Sequence, residues 1–233
     1  MIVSINQPAY LPWLGYFHRI AVSDLHVVLD RVQFEKNSFT NRNKIRTHDG
    51  WCWLTVPVKT AGKFGQLPIC ELEIDNQRPW ASKHWETVRL NYSKAPFFGQ
   101  HAEFFQGVYK QNWTKLSDLA QEITTYLLRC FDIRTKLLFS SQMEISGAKD
   151  ELVLNLCREV GAKTYLSGPL GRNYLREELF HSAGIEVRYD DYQHPAYSQT
   201  YSGFEPSMAA IDLLFNAGPA SRQVLMSRQQ IAL

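Results

Sequence analysis

The sequence predicts an α/β protein: a mostly parallel sheet with flanking helices and a helical insertion. Three observations carry this reading. Residues 2–5 (IVSI) and 25–29 (LHVVL) are short apolar runs, and between them Leu14, Phe17, Ile20 and Ala21 recur at helical spacing. The C-terminal half then alternates strand and helix three times, the pattern of a parallel sheet. The 233 residues, 45% hydrophobic and 21% charged, are of ordinary globular composition, and a chain of that size buries about 70% of its unfolded surface.

The elements follow in order. Strand 2–5, helix 14–23 and strand 25–29 make a parallel pair with a right-handed crossover. Residues 51–58 (WCWLTVPV) have strand propensity up to Pro57, and residues 67–74 are expected to pair with them across a turn at Gly62 and Gly65. Residues 80–92 set Trp85, Val88 and Tyr92 on one helical face, and the stretch before Pro96 ends that helix. Residues 97–110 read as an aromatic helix, and 114–131 as the clearest helix of the chain. Strand 136–140 follows, then helix 150–160, closed by Gly161. Strand 164–167, helix 174–183, strand 184–189 and helix 208–215 complete the pattern. The reading is one domain over residues 1–233, with a β-hairpin plus helical insertion at about 51–131.

Charge bounds the partners. With 25 basic and 23 acidic side chains the net charge is +2, which gives no overall electrostatic case for nucleic acid or anionic lipid and leaves only local basic clusters open. No stretch approaches the ~18 apolar residues of a membrane span. The start, MIVSINQPAYLP, is broken too early by proline for a signal peptide, so a cytoplasmic location is expected. Cys52, Cys70, Cys130 and Cys157 lack CxxC spacing, which argues against a zinc cage or redox dithiol; no metal and no cofactor are expected. Aromatic content is the unusual feature. Six Trp, eleven Tyr and thirteen Phe, many beside polar residues, suit a pocket for a sugar or amphipathic metabolite, as well as a large core.

Four segments combine polar groups, glycines and aromatics at strand ends, where ligands of open α/β sheets lie. The first is INQPAYLPWLGYFHRI, with Gln7 as donor and acceptor and Tyr10 as a wall, on a loop stiffened by Pro8 and Pro12. The second, DRVQFEKNSFTNRNKIR from Asp30 to Arg46, reads as either a solvated loop or a binding loop. It offers Asp30, Gln33, Lys36, Asn41 and Arg42, the last as a planar anion clamp. The third is Lys83-His84, because histidine moves protons near neutral pH, although a lone histidine is commonplace. The fourth, YLSGPLGRNY, puts Ser167, Gly168, Gly171 and Tyr174 in a strand, turn and helix start able to receive an anion. Tyr197 and Gln199 follow in a stretch that is expected to line the same crevice. Asp190 and Asp191 point opposite ways if they continue a strand, which argues against a shared metal.

Together these segments resemble the WbqC-like family. The matching pieces are QPAYLPWLGYFHRI, LDRVQFEKNSFTNRNKI, LTVPV, KHWETVRLNYSKAPFF, YLSGPLGRNYL and YSQTYSGFEPSMAAIDLLFNAG, in order from Gln7 to Gly218. The resemblance implies a role in bacterial surface polysaccharide (O-antigen-type) biosynthesis, through transfer of glycine or another acyl group to an amino sugar. Its small-molecule partners would be a nucleotide sugar and an acyl donor. In that mechanism His84, beside Lys83, is general base, while Asp30 and Gln33 orient the acceptor. Arg42 and the 167–171 turn would hold phosphate, and Tyr10, Tyr92 and Tyr174 would form walls. Members often carry Ser three residues before the Asp of DLLFN, where this chain has Ala209.

A second resemblance is to nucleotidylyltransferases of the HUP class, which share a Rossmann-like opening topology. In place of their HxGH pair this chain has Trp13-Leu14-Gly15-Tyr16, so the glycine is kept and both histidines are absent. ATP-dependent nucleotidyl transfer or ligation is therefore one rival reading. A non-catalytic scaffold in polysaccharide assembly is another.

Overall fold

The computed structural model describes residues 1–62, 65 and 67–227. The chain is α/β. β1 (Ile2–Asn6), β2 (Leu25–Val28), β5 (Lys136–Phe139), β6 (Thr164–Ser167) and β7 (Glu186–Tyr189) form one sheet in the order β5-β2-β1-β6-β7. All four pairings are parallel, with Val3 opposite both Leu25 and Tyr165. The apolar runs of β1 and β2 follow from this, because parallel strands are covered on both faces. Strand order reverses at β1, so the crevice between the carboxyl ends of β1 and β6 is the topological switch point.

α1 (Leu14–Ala21) connects β1 to β2. Between β2 and β5 come a hairpin, β3 (Arg42–Thr47) and β4 (Gly50–Thr55), and three helices, α2 (Trp80–Tyr92), α3 (Phe98–Lys110) and α4 (Leu116–Cys130). α5 (Lys149–Glu159), α6 (Glu177–Ser182), α7 (Ala210–Ala217) and α8 (Ser221–Leu225) follow. Among the described residues no helix is long and apolar enough to cross a membrane.

Two elements depart from the sequence expectations. The partner of β4 is β3 and not residues 67–74, so the end of the segment read as a solvated or binding loop, from Arg42 on, is a strand. Thr47 pairs with Gly50 across a two-residue His48-Asp49 turn, and Gly50 takes a φ of 124°, which a side chain resists. Residues 67–74 instead hold a short 3-10 helix, Ile69–Glu71, and touch the other chain segment through a single Val58–Ile74 bridge. The expected helix 174–183 is shortened to α6, and a 3-10 turn, Pro169–Asn173, precedes it.

Two apolar cores result. The smaller packs Val3, Ile5, Leu25 and Val27 against Leu156, Cys157 and Phe180. The larger gathers α1, the inner hairpin residues Ile45 and Leu54, α2–α4 and α7. α7 is pinned to both early segments: Ala210 N–H donates to Pro12 O and Ala209 N–H to Lys44 O, each at 2.8 Å.

Candidate functional site

The best-formed cavity lies at the carboxyl ends of β2 and β5 and has a volume of about 380 Å³. Its floor is Pro8, Tyr16, Val28, Leu137 and Phe139, and its polar wall carries Asp30, Glu71, Lys115 and Asp118. Three carboxylates against one ammonium make the wall acidic. The local sequence explains the construction. Directly after β5, Ser140 and Ser141 turn both hydroxyls and one backbone N–H onto Asp30, at 2.7–2.9 Å. Asp30 O in turn accepts Cys70 N–H at 2.8 Å, which ties the 3-10 helix to the sheet. Leu116 N–H then donates to Leu72 O at 2.9 Å and brings the first turn of α4 over the opening. Asp30 is thus a fixed acceptor, whereas Glu71 is exposed at the rim. The Cys70 thiol between them is pushed up by burial first, then by Asp30 and Glu71. A more open depression of about 690 Å³ shares Cys70, Glu71, Ser141 and Gln142 with this cavity and adds Arg31.

A second polar cluster is closed off from solvent. Asp212, on α7, is 0% exposed. One of its oxygens accepts Tyr92 OH, and the other accepts Tyr197 OH and Gln199 Nε2, each at 2.8 Å. Burial pushes the Asp212 carboxyl up, against the pull of these three donors and of Arg46. Tyr92 OH also accepts Arg46 N–H at 2.9 Å, which locks α2 to β3. Burial raises both tyrosines well above their usual range.

The third cluster is the switch point. Arg19, on α1, donates to Asn6 Oδ1 at 2.7 Å and sits 3.7 Å from Asp190. Its guanidinium passes so close to Gly168 that a β-carbon there would meet it at 2.7 Å. Burial lowers the Arg19 pKa. Ser167 Oγ is buried beneath Gly171, 2.1 Å from where a β-carbon would stand. Tyr174 is exposed beside this turn, and Tyr192 covers His18 with its ring 4.7 Å away.

The other sequence-predicted residues fall as follows. His84 is buried, with Nδ1 2.8 Å from Tyr10 OH, which lies 2.6 Å from Tyr109 OH. Burial lowers the His84 pKa to about 4, opposed by a hydrogen bond to the Thr55 backbone. His84 does not line the Asp30 cavity, and its neighbour Lys83 faces solvent. Lys36, Asn41 and Arg42 border a separate cavity of about 210 Å³ beside the hairpin. Gln33 is exposed and accepts Leu67 N–H at 2.8 Å, and Gln7 stands 3.5 Å from Thr40 Oγ1.

Tyr92, Tyr197 and Gln199 therefore meet on Asp212, Tyr10 meets His84, and Asp30 stands apart from both groups. Sequence reasoning missed Asp212, Arg19, Glu71, Lys115 and Asp118. A lone carboxylate in AAIDLLF and a lone guanidinium in YFHRIA were visible signals of buried, partnered charge. Nothing local marked the other three. Among the described residues no group of three or more His, Cys, Asp or Glu side chains is placed to hold a metal ion.

Comparison with known proteins adds lineage. The model of a family described as the WbqC-like protein family matches residues 7–224. An uncharacterized protein of Mycobacterium tuberculosis (strain ATCC 25618 / H37Rv), Rv1507c, is 38% identical over 218 residues, covering 93% of this chain and 94% of that relative. No solved structure matches.

Proposed function

We propose that this chain, which belongs to the WbqC-like protein family, transfers an acyl or aminoacyl group, such as glycyl, to the amine of a nucleotide-linked amino sugar in surface-polysaccharide biosynthesis. The observation that carries the reading is the acidic cavity at the carboxyl ends of β2 and β5. Carboxylates at the sheet's ligand-binding edge favour an ammonium group, and a volume near 380 Å³ suits one small substrate. The adjoining depression with Arg31 offers a second substrate its own place against the same wall.

In this reading Asp30, held by Ser140 and Ser141, orients the amine, and Glu71 takes its proton. The freed nitrogen attacks the acyl carbon of a thioester or acyl phosphate. An N–C bond forms, the bond from carbon to sulfur or oxygen breaks with its electron pair leaving on the thiolate or phosphate, and that leaving group takes the second proton from the nitrogen. Lys115 stabilises the negative charge that develops on the carbonyl oxygen. His84 serves by position: it holds Tyr10, whose loop supplies Pro8 to the cavity floor.

The test is a thermal-shift titration with UDP-glucosamine and UDP-N-acetylglucosamine, on the parent and on Glu71→Gln. Saturation at a hundred times the dissociation constant stabilises by about 2.7 kcal/mol, or several degrees at this size. The free amine should raise the melting point, the acetylated sugar should not, and Glu71→Gln should abolish the difference. Equal shifts from both sugars, or no effect of the variant, would sink the proposal. The ATP-dependent alternative draws support from Arg19 beneath Gly168 at the switch point. It predicts a shift by ATP with Mg²⁺ that Arg19→Met removes.

A further inference from the structure

The outer face of the β3–β4 hairpin accounts for part of the aromatic excess and lies outside the three clusters above, with Arg42 at the border of the small cavity beside the hairpin. Trp51, Trp53 and Phe39 are 45%, 37% and 43% exposed. Trp13, Phe39, Trp53 and Trp51 form a continuous row with successive ring centroids 5.2, 5.9 and 5.8 Å apart. Cations are interleaved with it. Arg42 Cζ lies 4.4 Å from the Trp53 ring centroid, and Lys44 Nζ 4.8 Å from that of Trp51. The strand register puts Arg42 and Lys44 on the same side as the two tryptophans, while Ile45 and Leu54 fill the core behind; Arg46, next on that side, is buried and donates to the Thr47, Gly50 and Ser202 carbonyls. The one acid of the hairpin, Asp49, sits at its turn and is paired with His48.

We infer that this face docks the protein on an anionic lipid bilayer. Exposed Trp with Lys and Arg is the residue set of a membrane interface, the rings entering the headgroup region and the cations meeting lipid phosphates. Buried Trp80 and Trp113 donate their indole N–H to Asn76 and Val108. Among the described residues no protein acceptor meets those of Trp51 or Trp53, which leaves them for lipid carbonyls.

Other occupants fit less well. Arg42 and Lys44 each cover one ring, and neighbouring rings are tilted by 50–83° to each other, so the row lacks the parallel planes on which successive nucleobases stack. A second copy would bring like charges together. The overall charge of +2 does not report this local pairing of Arg42 and Lys44 with the tryptophans.

The experiment is co-sedimentation of the full chain with phosphatidylcholine vesicles, with and without phosphatidylglycerol, at low and high salt. The protein should pellet only with the anionic vesicles, and salt should release it. Lys44→Gln should weaken partitioning about fivefold, and Trp51→Ser with Trp53→Ser about tenfold or more. The Lys44 ammonium lies over the exposed Trp51 ring, and its variant keeps the test valid if the tryptophan pair fails to fold. Failure to pellet, equal pelleting with neutral lipid, or indifference to both variants would overturn the inference. So would heparin binding without pelleting, or a dimer that Trp51→Ser with Trp53→Ser dissolves; these would assign the face to a glycan or to a second copy.

Discussion

Tyr92 and Asp212, 120 residues apart in sequence, share a 2.8 Å hydrogen bond in a site closed to water. The tyrosine hydroxyl also accepts Arg46 N–H. One oxygen atom therefore joins α2, β3 and α7.

Tyr92→Phe strips partners from both the Arg46 N–H and the Asp212 carboxylate. Each orphaned buried group costs about 1–3 kcal/mol, so a loss of about 2–6 kcal/mol is expected in urea melts. The loss should depend on pH in a particular direction. An acid whose folded pKa is raised above its unfolded value contributes stability at low pH and loses it as pH rises through the folded pKa. The deficit of Tyr92→Phe should therefore be larger at neutral pH than in acid, and a deficit independent of pH would argue against a charged Asp212.

His84 gives the opposite-facing acid response. Its pKa falls from 6.5 to about 4 on folding, so its contribution is complete above pH 6.5 and is lost as pH falls toward 4. The integrated loss is about 3 kcal/mol. His84→Gln should flatten that part of the stability profile. In NMR titration the imidazole should remain neutral at about pH 5.5; protonation there would return His84 to the list of proton carriers.

Gly171→Ala should destabilise the protein by about 1–3 kcal/mol through overpacking, because the new carbon would stand 2.1 Å from Ser167 Oγ. Removing that oxygen in Ser167→Ala with Gly171→Ala should restore part of the loss. A strictly additive pair would mean that the glycine is needed for some other reason.

Cys70 reports on the acidic cavity. Its thiol is held up by burial and by its neighbours Asp30 and Glu71. Glu71→Gln should lower the thiol pKa and speed alkylation at Cys70 by a few-fold near neutral pH. Peptide mapping by mass spectrometry separates this site from buried Cys157. An unchanged rate would place Glu71 too far away to act on an ammonium in the same space.

The parallel sheet was legible because its strands are covered on both faces and so read as apolar runs. Asn6, Asp30 and Ser167 could be placed at strand ends for the same reason. β3 was not legible. Its Arg42, Lys44 and Arg46 alternate with Asn43 and Ile45, and three charges in six residues resemble a loop until the rings that they cover, Trp53, Trp51 and Tyr201, are known. Once β3 was missed, β4 was assigned the wrong partner, although Asp49-Gly50 was a turn signal of the right kind. Tyr92, Tyr197 and Gln199 were readable as polar groups in aromatic surroundings. That they converge on one carboxylate was not readable, since Asp212 sits in an apolar helix and its donors come from segments far apart in sequence. The cavity wall was the least legible: Glu71 and Lys115 meet only because the 3-10 helix and α4 are tied together by a backbone hydrogen bond at Leu116.

The pinning of α7 to Pro12 and Lys44 also sets an order of events during translation. The smaller core is fully synthesised by Ile185, whereas the larger needs Ala209 to Phe215 and Leu225. A nascent chain that has just passed β7 can thus complete one side of its sheet while α1 and the hairpin still show the ribosome exit a bare apolar trough. For that interval the half-made protein is a client for a holding chaperone. Mutations that weaken the grip of α7 should then show first as poor yield from the cell.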